Sequence, residues 1–161
     1  MSLRLSGLSS REERAVRAAY ERLCAPQDPQ ATPLFVFSAQ EGGAAEAMLA
    51  EVAAELPEAR RIGDDLCATG QAIWLMREGT AEALRASLQR LALAHAPRLR
   101  LNALHAGPAL PAPTQTHAAW PPHQTGLPAP LPAEERLALA LDFLCATPSV
   151  TGQILHLTPF D

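Results

Sequence analysis

The chain contains no lysine, for all thirteen of its basic residues are arginine. It also has a single tyrosine, Tyr20, and only 4% aromatic residues. Chemistry that needs a lysine amine, or a tyrosine hydroxyl late in the sequence, is therefore excluded. Cysteine is sparse and scattered, at Cys24, Cys67 and Cys145, with no CxxC pair. An odd count without paired spacing argues against a disulfide framework or a zinc site, and leaves buried free thiols in a reducing compartment as the expectation. No apolar run approaches the roughly 20 residues of a membrane-spanning helix. The opening residues show no apolar stretch behind a basic region, so no secretory signal is expected and a cytoplasmic location follows. A formal net charge of -4 provides no field for nucleic acid.

What remains is an ordinary globular composition, 48% hydrophobic and 19% charged, enough for one domain over residues 1–161. Residues 1–30 read as an N-terminal helix and connector. Ser10-Arg11-Glu12-Glu13 has the form of a capping box, and Ala15, Val16, Ala19, Tyr20 and Leu23 follow at helical spacing until Pro26 and Pro29. Leu34-Phe35-Val36-Phe37 is a continuous apolar run, the pattern of a strand buried on both faces. Gly42-Gly43 turns out of it, and Met48, Leu49, Val52 and Leu56 repeat with a helical period. Arg60-Arg61-Ile62-Gly63 is a candidate short strand. Asp64 and Asp65 read as a solvated turn, and Trp74 and Met76 as core or interface residues.

A helix over 80–95 places Leu84, Leu88 and Leu91 on one face, with Thr80 as its cap and Pro97 behind its end. Arg98-Leu99-Arg100-Leu101-Asn102-Ala103 alternates polar with apolar, the period of a strand. Residues 105–132 form a proline-rich loop holding eight of the fifteen prolines, from Pro108 to Pro132. Within it Trp120 is either a loop anchor or a partner-docking side chain. A last helix opens at Pro132 with Glu134 and Glu135 in its first turn and Leu137, Leu141 and Leu144 facing inward. Residues 151–157 close the chain as a strand. Alternating strands and helices imply an α/β fold with a mostly parallel sheet. His95, His105, His117, His123 and His156 match no metal-ligand spacing, so no metal is expected.

Two motifs add a resemblance. Pro97 to Pro108, through Arg100-Leu101-Asn102-Ala103-Leu104, is similar to the short-chain dehydrogenase/reductase strand R-[VL]-N-x-[IV] and its P-G-P-like turn. The continuation Ala109-Leu110-Pro111-Ala112-Pro113-Thr114-Gln115 resembles the L-P-S-P-R-Q of the pteridine reductase and dihydromonapterin reductase branch. Ser149-Val150-Thr151-Gly152-Gln153-Ile154-Leu155 resembles the family's closing T-G-Q turn and strand. The likeness covers about 80–157 and implies a Rossmann-like mostly parallel sheet with flanking helices, reduced relative to a full family member. By that resemblance Asn102, Gly107, Pro108, Thr151 and Gly152 stand in the family's cofactor-side turns.

The departures bear on function. Counting back from Asn102, Arg77 and Ala81 occupy the places of the family's catalytic tyrosine and lysine. The tyrosine donates a proton as hydride arrives, and the lysine cation lowers its pKa. A permanently charged arginine cannot be that acid, and alanine contributes nothing. The family's phosphate-binding T-G-x-x-x-G-x-G finds no counterpart, which leaves Ser38-Ala39-Gln40-Glu41-Gly42-Gly43 as the candidate turn, with Glu41 repelling phosphate. Alternatively 34–39 matches the family's central V-N-N-A strand, and the chain lacks the nucleotide-binding half. Ala59-Arg60-Arg61-Ile62-Gly63 matches a pteridine reductase loop by chance, since it follows a helix rather than a strand.

The resemblance implies a non-catalytic protein without cofactor, acting as a binding or assembly subunit linked to a pterin or folate reductase. It also implies a homodimer, or a heteromer, through the helix 80–95, with Ala81, Leu84 and Ala92 suited to close helix packing. The alternative is an NAD(P)-dependent oxidoreductase, a pteridine or carbonyl reductase with an atypical site and NADP as its cofactor.

Overall fold

The computed structural model describes residues 3–23, 32–40, 42–62, 65–76, 81–105, 132–147 and 149–157. In chain order the elements are β1 (Leu3–Ser6), α1 (Ser10–Leu23), β2 (Leu34–Ser38), α2 (Gly42–Glu55), β3 (Arg60–Ile62) and β4 (Asp65–Cys67). They continue with β5 (Gly70–Met76), α3 (Ala81–His95), β6 (Leu99–His105), α4 (Ala133–Ala146) and β7 (Ile154–His156). Five strands make one sheet in the order β1-β2-β5-β6-β7, every pair parallel. β3 and β4 form a separate antiparallel hairpin. This is the expected α/β class, a parallel Rossmann-like sheet between helices. No described helix is long and apolar enough to cross a membrane.

The strands sort their side chains by the two-residue period. Phe35, Phe37, Ala72, Trp74, Met76, Leu101 and Ala103 face one layer, where Ala45, Leu49 and Val52 of α2 and Leu88, Leu91 and Ala92 of α3 cover them. Leu34, Val36, Ile73, Leu75 and Leu104 face the other, against Val16 and Ala19 of α1 and Leu137, Ala138, Leu141 and Leu144 of α4. Trp74 is fully buried and stacks on Phe37, which stacks on Phe35.

This layering has an unusual topological consequence. Each new strand of the sheet is added beside its predecessor in the same direction. Yet α1 and α4 lie over one face while α2 and α3 lie over the other. Connections that step the same way across opposite faces have opposite hands. Two of the four are thus left-handed, whereas about 98% of such crossovers are right-handed.

Several local expectations change. The cap of α1 is Ser9 rather than Ser10: the Ser9 amide and hydroxyl both donate to Glu12 Oε2, at 2.8 and 2.7 Å, and the Glu12 amide points at Ser9 Oγ. Two S-x-x-E frames overlap here, and the helix uses the one whose acid, Glu12, is buried. β1 and β5 were not expected. β1 is short, and β5 hides its strand period because Gln71 lies buried among apolar neighbours. The residues ahead of β2 supply β1 and α1, and β1 pairs with β2 at the edge of the sheet. β6 is buried along most of its length instead of on one face. Its polar members are internal: Arg100 donates to Gln71 Oε1 at 2.9 Å and to the Thr147 carbonyl at 3.1 Å, and Gln71 Nε2 donates to the Leu144 carbonyl.

Candidate functional site

The two motifs singled out in the sequence meet in space. Asn102 is fully buried in the middle of β6. Its Nδ2 donates to the Val150 carbonyl at 3.0 Å, and its Oδ1 accepts from the Gln153 amide at 3.1 Å. One position earlier, the Leu101 amide donates to Thr151 Oγ1 and the Leu101 carbonyl accepts from the Gly152 amide at 2.7 Å. Gly152 turns with φ +70, a conformation that favours glycine. Asn102, Thr151 and Gly152 therefore build the turn that aims β7 into the sheet. Every polar atom named here is engaged by the protein itself, so these three residues hold architecture in place.

In open parallel sheets, ligands settle at the carboxyl ends of the strands, where neighbouring connections leave toward opposite faces. Two such places exist here. The first lies between β1 and β2, since α1 and α2 depart to opposite layers. There Gly7 has φ +69, and a Cβ on it would stand 2.4 Å from the Ser38 carbonyl oxygen. Close approach of backbone to backbone is thus possible only with glycine. The same end is closed by Trp74, whose Nε1 donates to the Ala39 carbonyl at 3.1 Å. Past Gly7, the N-terminus of α1 is occupied by its own Glu12 carboxylate, and Arg11 pairs with Glu134 of α4. That pairing, first through its side-chain hydrogen bond, holds the Glu134 carboxyl below its ordinary value.

The second place lies between β5 and β6, since α3 and α4 also depart to opposite layers. His105 ends β6 there, and the strand register sets it beside His156 of β7. The two Nδ1 atoms are 3.4 Å apart, with ring centroids at 5.3 Å and planes inclined by 71°. Burial, and then the neighbouring His156 ring, push the His105 imidazole below its ordinary pKa. No sequence pattern pointed to this pair, because the residues stand 51 positions apart and only the register joins them. Among the described residues no group of three or more histidine, cysteine or acidic side chains gathers where a metal could be held.

Other expected positions divide. Arg77, Gly107 and Pro108 lie outside the described residues, as do Asp64, Trp120, His117 and His123. Ala81 opens α3. The Gly42-Gly43 turn is the start of α2, and a Cβ on Gly43 would meet nothing within 4 Å. No close backbone approach demands glycine at Gly43, whereas one does at Gly7. Arg60, Arg61 and Ile62 are exposed on the β3–β4 hairpin. Ala92, expected at a subunit contact, is buried in the chain's own core, and its neighbour Leu93 is exposed instead. A cavity of about 170 Å³ opens at the far, amino end of the strands, between Pro33, Pro57, Gly70 and the Arg4–Glu55 ion pair. Comparison with protein-family models, with curated proteins and with solved structures gives no match.

Proposed function

We propose that this chain is a non-catalytic relative of the short-chain dehydrogenase/reductases that serves as a binding or assembly subunit. The proposal rests on the closed N-terminus of α1. The family motif T-G-x-x-x-G-x-G, begun at the end of β1, sets Ser6 and Gly7 in its first two places and Arg11 and Glu13 in its second and third glycine places. A pyrophosphate needs backbone amides at a helix N-terminus and no side chain in the way. Here Arg11 is drawn to α4, and the Glu12 carboxylate takes the position that suits an anion. Two acidic residues in that first turn add like-charge repulsion toward phosphate.

The kinship itself is supported by the contact of the two resembling motifs through Asn102, and by the left-over Gly7 turn. Lost acid chemistry is supported by composition, since no lysine exists anywhere in the chain. A partner is expected on the outer helix surfaces, where Leu93 of α3 and Leu139 and Phe143 of α4 are exposed. A homodimer, or association with a pterin reductase, is the proposed assembly, in a reducing cytoplasm.

Calorimetric titration with NADPH and NADP tests the reading. The expected result is no heat of binding up to about 1 mM cofactor. Binding at about 1 μM would overturn it and favour the NAD(P)-dependent reductase.

A further inference from the structure

The geometry points to a divalent transition-metal site of the zinc class, held by the Nδ1 atoms of His105 and His156 at the carboxyl end of β6 and β7. This inference is independent of the proposed family. Zinc–imidazole bonds are about 2.0–2.1 Å long, and a tetrahedral angle between two of them separates the nitrogens by about 3.3–3.4 Å. The observed Nδ1···Nδ1 distance is 3.4 Å. The contact is a hydrogen bond between the two rings, its donor set by the tautomer, and because its length equals the edge of a zinc tetrahedron, an ion of that class takes the place of the shared proton.

The register also sets the two rings side by side. His105 and His156 are Cα partners in the parallel pair, and the Leu157 amide donates to the His105 carbonyl at 2.9 Å just beyond them. Two rings anchored on adjacent strands lose little rotameric freedom when an ion arrives, which is the advantage of a preorganised site. His105 is half-buried and His156 exposed, so one ring is fixed by packing while the other leaves an approach from solvent. Neutral imidazole is the form that ligates, and it suits zinc, copper and nickel. Two imidazoles fill half a tetrahedron, and water or a small anionic ligand takes the remaining corners. An open coordination position of this kind is how zinc activates water or polarises a carbonyl oxygen.

The test is calorimetry of the full chain with Zn²⁺ alone, on the parent protein and on His156→Ala, His105→Ala and His95→Ala. The parent is expected to bind one ion per chain. Losing even an outer-shell partner costs about 10–100-fold in metal affinity, so each of the first two variants should weaken binding at least tenfold. His95 stands at the end of α3, away from the pair, and its variant should bind as the parent does. Since His156 is exposed on an edge strand, its truncation leaves the fold intact, which far-ultraviolet circular dichroism checks. No binding by the parent at about 1 mM Zn²⁺ overturns the inference. So does undiminished affinity in His156→Ala, or equal loss in all three variants.

Discussion

Asn102 clamps the turn that leads into β7, gripping the Val150 carbonyl with one side-chain atom and the Gln153 amide with the other. Both partners are backbone groups of a part-buried turn. Asn102→Ala should cost about 1–2 kcal/mol, because it leaves a part-buried donor and a part-buried acceptor without their side-chain partner. Urea denaturation should show a lower midpoint at an unchanged slope. A loss below about 0.5 kcal/mol would mean that water replaces the clamp.

Two glycines offer opposite outcomes from the same substitution. Gly7→Ala forces a side chain into positive φ and against the Ser38 carbonyl, so it should destabilise by more than about 1 kcal/mol. Gly43→Ala meets open space inside a helix and should stabilise by up to about 1 kcal/mol. Thermal melting of the two variants, side by side, would separate them by several degrees. If Gly7→Ala left the melting temperature unchanged or raised it, the Gly7 contact would be refuted.

The Arg11–Glu134 pair ties the start of α1 to the start of α4 and gives stability a pH dependence. The Glu134 carboxyl titrates lower in the folded chain than in the unfolded one, where its value is near 4.5. Its contribution is therefore fully present above that value and disappears as pH falls through the folded pKa. The pair is partly exposed, so the amount is at most about 1 kcal/mol. Glu134→Gln should lower stability at pH 7, and the loss should shrink steadily as pH falls below about 4.5, measured by chemical denaturation across that range.

Arg100, Gln71 and the α4 carboxyl end form one coupled unit. Arg100→Met removes donors from Gln71 Oε1 and from the Thr147 carbonyl, and should cost about 2–3 kcal/mol. Gln71→Met removes the amide that serves the Leu144 carbonyl. In a double-mutant cycle the pair should fall short of additivity by at least about 0.5 kcal/mol, whereas independent sites would add.

Much of the fold was legible in the sequence because local pattern and final environment agree there. Leu34 to Phe37 are apolar throughout, and the structure buries all four. Val16 and Ala19, Leu88 and Leu91, and Leu137, Leu141 and Leu144 repeat at helical spacing and meet the sheet as expected. β5 was not legible, since its Gln71 signals a surface strand while Arg100 and a helix carbonyl neutralise its polarity from 29 and 73 residues away. The role of Asn102 was half legible: its motif marked it out, but the clamp on a distant turn is a tertiary fact. His105 and His156 carried no signal at all, because a parallel pairing brings together positions that no local spacing relates.

The alternate hands of the connections set an order of assembly. α2 and α3 are neighbours along the chain, and the face they cover can close with contacts between adjacent elements. α1 and α4 also touch, but nearly the whole sequence separates them. The apolar stripe of α1 thus finds its final neighbour only after the last helix has formed, and loop-closure entropy delays that step. One side of the sheet is a fast, local half and the other a late, long-range half. Truncations at Leu49 or Leu88 should accordingly slow refolding, while those at Val16 or Leu141 should mainly hasten unfolding.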